Sequence, residues 1–79
     1  MREEVLAKII KKASKIWNVD ASEMNENTEF AAFNPKSANY SQMTTFLEDE
    51  FDAEVPYLNF KRCKTFGEAA DYVAELLDE

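Results

Sequence analysis

The 79-residue chain contains no histidine, one cysteine, one glycine and two prolines, and its nine basic residues are outnumbered by sixteen acidic ones. Each scarcity removes a class of chemistry. Without histidine there is no ordinary general base near neutral pH, no triad base and no imidazole ligand for zinc. The lone cysteine, Cys63, allows neither an internal disulfide nor a thiolate cluster, and it suits a reducing compartment. With Gly67 as the single glycine, neither a Walker loop nor a dinucleotide-binding fingerprint can be written. A net charge of −7 opposes a phosphate backbone, so nucleic acid is set aside as a partner. The longest uninterrupted apolar run, Phe30-Ala31-Ala32-Phe33, falls far short of the roughly 18 residues a membrane span requires. The opening Met1-Arg2-Glu3-Glu4 is acidic and has no signal-peptide pattern. The expectation is a cytoplasmic, soluble protein without membrane insertion.

What is present is enough to fold. Hydrophobic residues make up 46% of the chain and charged residues 32%, so apolar material suffices for one core, and residues 1–79 read as a single domain. From 3 to 17, Val5, Ile9, Ile10, Ala13, Ile16 and Trp17 recur at helical spacing, with Lys8, Lys11, Lys12 and Lys15 on the opposite side as a solvated face. Glu3 and Glu4 suit the first turn of such a helix, and Glu4 and Lys8 form an i,i+4 pair. Residues 18–36 have no sustained period and read as a long loop, with Val19, Met24, Phe30 and Phe33 as apolar pins and Asp20 capping a single turn. Tyr40, Met43, Leu47 and Phe51, spaced 3, 4 and 4, draw a second helix over 37–51, with Ser37 at its N-cap. Pro56 ends it, and a short helical piece is expected in 57–62. Thr65 and Glu68 have capping-box spacing before the last amphipathic stretch, 66–77. The fold class is therefore all-α: a small bundle of three main helices plus one short helix, with a long loop between the first and second helices.

Ser37 stands out by place. It opens the second helix, where unpaired amides and the positive dipole end favour an anionic group such as a phosphate ester. The plainer reading of the same residue is a helix cap.

The stretch from Ser37 to Pro56 resembles the acyl carrier proteins. Members of that family have a serine at the start of the second helix, usually within Asp-Ser-Leu, a leucine ten residues on, an acidic cluster ending in phenylalanine, and an Ile-Pro or Val-Pro. Here Leu47 follows Ser37 by ten residues, and Glu48-Asp49-Glu50-Phe51-Asp52-Ala53-Glu54-Val55-Pro56 completes the pattern without a gap. Cys63-Lys64-Thr65 and Asp71-Tyr72-Val73 continue it, and Ile9-Ile10, Val19, Met24 and Phe30 match upstream hydrophobic positions, so the likeness covers nearly the whole chain.

The resemblance implies a 4′-phosphopantetheine arm on Ser37 whose thiol holds an acyl group as a thioester, in fatty-acid, polyketide or related biosynthesis. It implies a protein that is not an enzyme. A phosphopantetheinyl transferase and acyl-processing enzymes are the implied partners of a monomer, docking on the second helix around Lys36, Ala38, Asn39, Gln42, Glu48 and Asp49. The chain departs from the family at both flanks of the serine: Lys36 replaces the aspartate and Ala38 the large apolar residue. Asn39 and Gln42 occupy usual acidic positions, and Lys61, Arg62 and Lys64 follow Pro56. The alternative is a helical interaction module that keeps the carrier fold without phosphopantetheinylation.

Other residues invite less. Cys63 reads as a small hydrophobe with no base to activate it. The acidic run Glu48 to Glu54 lacks the ligand spacing and glycine of a calcium loop, so no metal site is expected. Tyr40 belongs to the core by period and lies near enough to Ser37 to touch an arm.

Overall fold

Each apolar stripe becomes a helix where the period predicts it. The computed structural model describes residues 1–78, in which α1 spans Arg2–Trp17, α2 Ser37–Phe51, α3 Tyr57–Lys61 and α4 Phe66–Leu77. The architecture is the expected all-α bundle. The one departure from helix and loop among the described residues is an isolated antiparallel bridge between Glu29 and Thr65. No described helix is long and apolar enough to cross a membrane.

α1 lies against both α4 and α2, while α3 packs on α2 and α4. The core takes Val5, Ile9 and Ala13 from α1, Tyr40, Met43 and Leu47 from α2, Phe60 from α3, and Phe66, Ala69, Ala70 and Val73 from α4. The long loop contributes Met24 and Phe30. Phe30 is the main anchor. Its ring lies 4.7 Å from that of Phe66, 5.6 Å from Tyr40 and 5.8 Å from Phe60. Burying one such side chain is worth about 1.5–3 kcal/mol, which offsets part of the entropy of ordering the loop.

The loop also has backbone work to do. The anticipated turn forms at Ala21–Glu23, held by Asp20 Oδ1 accepting the Ser22 amide at 2.9 Å, and a second 3₁₀ turn covers Phe30–Phe33. Between them the chain crosses the start of α4. The Thr28 carbonyl accepts the Phe66 amide at 2.9 Å and the Glu26 carbonyl accepts that of Gly67 at 2.8 Å, so loop oxygens satisfy donors that no helical turn precedes. This approach requires glycine: a Cβ at position 67 would sit 2.8 Å from the Glu26 oxygen. Thr65 Oγ1 accepts the Glu68 amide at 3.1 Å, but the Glu68 carboxylate reaches back to the Lys64 amide, at 3.0 Å, one residue beyond the expected box.

With so little glycine, left-handed turns fall to other residues. Asn18, Asn34 and Asp52 all adopt φ near +50°, each closing a helical segment. Short polar side chains tolerate that region better than the alternatives.

The lysine face of α1 is only partly solvated. Lys8 pairs with Glu50 of α2 at 2.6 Å instead of with Glu4, and the Lys12 ammonium lies 5.3 Å over the Phe46 ring. The i,i+4 expectation fails because a carboxylate on the neighbouring helix offers a closer partner. At the other end of α1, Arg2 pairs with Glu26 at 2.8 Å and also with Asp71, joining helix, loop and α4.

Candidate functional site

The start of α2 is built from a left-handed Asn34, then Pro35, then an extended Lys36 at φ −99°, ψ 165°. Lys36 is the N-cap and Ser37 the first helical residue, which corrects the assignment of Ser37 as cap. A lysine side chain has no acceptor to offer, so the capping bond comes from within the helix: Asn39 Oδ1 accepts the Lys36 amide at 2.8 Å. Serine's strong preference for cap positions drew the expected cap one residue too far along the chain, and the bond from the Lys36 amide to Asn39 marks Lys36 as the N-cap. Ser37 is thereby exposed and free of a capping duty, at a helix end that favours negative charge.

Among the residues singled out around it, Lys36, Ser37, Ala38 and Asn39 are contiguous at this end, with Asn39 partly buried. Gln42 lies further along the exposed side and, with Lys12 and Asp49, lines a shallow groove between α1 and α2 of about 340 Å³. Glu48 and Asp49 are at the far end of α2, about 16–18 Å from Ser37 along the axis at 1.5 Å per residue. Glu48 Oε2 accepts the Val55 amide at 3.0 Å, fixing the link to α3. The six flanking positions thus divide into a cluster at Ser37 and a distant acidic end.

α3 closes the site from the other side. The Tyr57 hydroxyl donates to the Ser37 main-chain oxygen at 3.3 Å, and the Lys61 ammonium lies 5.8 Å over the Tyr57 ring. Beside these residues is a cleft of about 510 Å³ lined by Phe30, Asn34, Pro35, Tyr40, Cys63 and the basic residues at the end of α3. Sequence reasoning reached Tyr40 and Cys63 singly and missed the cleft, because it is assembled from the loop, α2 and the segment after Pro56. Tyr40 is 9% exposed, and burial pushes its hydroxyl pKa up, with Tyr57 and Cys63 adding to the effect. Burial, and then the charge of Glu68, raises that of the Cys63 thiol, which suits a packing residue that donates to the Asn59 carbonyl at 3.7 Å better than a nucleophile. Chemically, this end of the molecule presents one exposed hydroxyl where a phosphate ester is favoured.

No family model matches the chain. Among curated proteins it is 35% identical over 74 residues to an acyl carrier protein of Lactobacillus acidophilus, covering 90% of each chain. It is 34% identical over 56 residues to one of Chlamydia felis, covering 70% of this chain and 72% of the relative. A third, from Lactobacillus johnsonii, is 28% identical over 72 residues and 90% of each chain. With the helical order of a carrier, a serine opening the second helix and similarity along nearly the full length, the chain belongs to the acyl carrier protein family.

Proposed function

We propose that Ser37 carries 4′-phosphopantetheine in phosphodiester linkage and that the protein holds an acyl intermediate for fatty-acid, polyketide or related biosynthesis, as a cytoplasmic monomer. The observation that carries this reading is the exposed Ser37 hydroxyl at the first residue of α2, relieved of capping by Asn39. When attached, the arm supplies the thiol on which the acyl group rides as a thioester.

The chain's own residues prepare that attachment. The Ser37 oxygen forms the new bond to phosphorus; the pyrophosphate bond of coenzyme A breaks, adenosine 3′,5′-bisphosphate leaves, and the hydroxyl proton passes to the transferase. Free amides in the first turn of α2 favour the negative charge of the resulting linkage. Lys36, Ala38, Asn39 and Gln42 form the nearest contact surface for the transferase and acyl-processing enzymes, and Glu48 and Asp49 extend it along α2. Acyl carrier proteins are carriers rather than catalysts, which accords with a raised Cys63 pKa and a chain without histidine.

Lys36 and Ala38, which replace both usual flanks of the serine, favour a second reading as an unmodified interaction module. Intact mass after incubation with coenzyme A and a phosphopantetheinyl transferase separates the two. A gain of one phosphopantetheine, absent in Ser37→Ala, supports the carrier; an unchanged mass with the transferase of the native host supports the module.

A further inference from the structure

We propose that the outer face of α1 docks an acidic amphipathic helix of a partner protein, whose apolar side chain enters a groove rimmed by Lys11 and Lys15. The surface uses no residue of α2, so it does not depend on whether Ser37 is modified.

Charge is unevenly placed along this chain. Residues 5–19 contain four lysines and no acid, which leaves five cations against sixteen acids for the rest of a chain of net charge −7. The four lysines divide by face. Lys8 and Lys12 turn toward α2, where Glu50 and the Phe46 ring engage them. Lys11 and Lys15 are exposed, and among the described residues neither forms an ion pair. One helical turn separates them, so they present two ammonium groups in a row. On an otherwise negative molecule, such a row attracts a negatively charged partner and orients it.

Beside that row is an apolar groove of about 430 Å³. Ala7, Ile10, Lys11 and Ser14 follow one another at the i, i+3, i+4, i+7 spacing of one helix face, and Ala21, on the 3₁₀ turn after α1, walls the groove with Lys15. Ile10 packs on the core and still lines the groove, while Ala7 and Ala21 are exposed and keep its floor low. Acids flank the groove without lining it: Glu3 and Glu4 in the first turn of α1, Asp20 and Glu23 around the 3₁₀ turn.

The recessed shape selects the class of partner. A helix that lies on a bilayer inserts large projecting apolar side chains, but the exposed large hydrophobics here are Met1 and Leu58, neither of which belongs to this face. Sixteen acids elsewhere would also be repelled by an anionic leaflet. A low apolar floor beside two cations instead receives a projecting leucine or phenylalanine from a helix with carboxylates one turn to either side.

The test titrates the ¹⁵N-labelled full chain with a capped helical peptide of about 15 residues, built from alanine, glutamine and glutamate around one central leucine, with glutamates one turn to each side of it. Amide shifts are expected at Ala7, Ile10, Lys11, Ser14, Lys15 and Ala21. Replacing the peptide's leucine with alanine, or its glutamates with lysines, should weaken binding roughly fivefold or more. Lys11→Gln with Lys15→Gln should do the same, and Ala7→Glu, which fills the groove and can pair with Lys11 at i,i+4, should remove binding. Both variants should keep Tm within a few degrees, since all three positions are exposed. No shifts, shifts confined to α2 and α3, indifference to the peptide's leucine or glutamates, or unchanged affinity in the variants would overturn the proposal. So would co-sedimentation with phosphatidylglycerol vesicles that Ala7→Glu abolishes, because the face would then belong to a lipid surface. Concentration-dependent shifts of these amides without peptide would overturn it too, the occupant then being a second copy. Peptide binding by a chain whose Ser37 stays unmodified removes the carrier reading alone, and a modified chain that ignores the peptide removes this one alone.

Discussion

The Tyr57 hydroxyl donates to the main-chain oxygen of Ser37 across 3.3 Å, joining α3 to the first turn of α2 over 20 residues of sequence. The short helix after Pro56 therefore positions the exposed serine, and Lys61, stacked over the same tyrosine, is brought near it. Removing the hydroxyl should loosen this corner without disturbing the core, because Tyr57 is only partly buried. Tyr57→Phe is expected to cost about 0.5–1 kcal/mol, the net worth of an ordinary hydrogen bond, read as a drop of a few degrees in Tm.

The capping arrangement separates two neighbouring substitutions. Asn39→Ala removes the acceptor of the Lys36 amide and should cost about 1 kcal/mol, or about 4–8 °C in Tm. Ser37→Ala removes an exposed hydroxyl with no cap to lose and should change stability by less than about 0.5 kcal/mol. Thermal melts of the two variants give this order; a larger loss in Ser37→Ala would restore the serine as the cap.

Gly67→Ala tests the crossing of the loop over α4. Alanine is the better helix former by about 1 kcal/mol, but its methyl would meet the Glu26 carbonyl at 2.8 Å, and backbone cannot swing aside as a side chain can. Strain of about 1–3 kcal/mol should outweigh the propensity gain, giving a lower urea midpoint with an unchanged m-value.

Much of this fold was legible in the sequence, and the reason is local. Val5, Ile9 and Ala13, or Tyr40, Met43 and Leu47, repeat along one face and are the residues the bundle buries. The turn at Asp20 was legible for the same reason, since cap and turn lie within three residues. The loop's attachment to α4 was not, because it is made by the Glu26 and Thr28 carbonyls and leaves no side-chain pattern. Nor was Lys8 with Glu50, which depends on how α1 meets α2. At the candidate site, Ser37 was found through its colinear neighbours, whereas the cleft, shared by three separated segments, had no sequence signal.

The Lys8–Glu50 pair makes an acid-side prediction. Its hydrogen bond to Lys8 holds the Glu50 carboxyl below its ordinary value of 4.5. The folded state therefore releases this proton more readily than the unfolded one, so the stabilisation is complete above about pH 4.5 and fades as pH falls through the lowered native value. Tm of the native protein should exceed that of Glu50→Gln near neutral pH, and the gap should close toward pH 3 and shrink in high salt, both side chains being about one-third exposed.

The central claim concerns one oxygen atom. Ser41, also exposed, lies one helical turn beyond Ser37, and both fall between Lys36 and Lys61 in a single tryptic peptide. Fragmentation of that peptide, after reaction of the native protein with coenzyme A and a phosphopantetheinyl transferase, is the most direct measurement. The phosphopantetheine mass on Ser37, with Ser41 unmodified, is the expected result; the mass on Ser41, or a peptide that stays unmodified with the native host's transferase, contradicts the account.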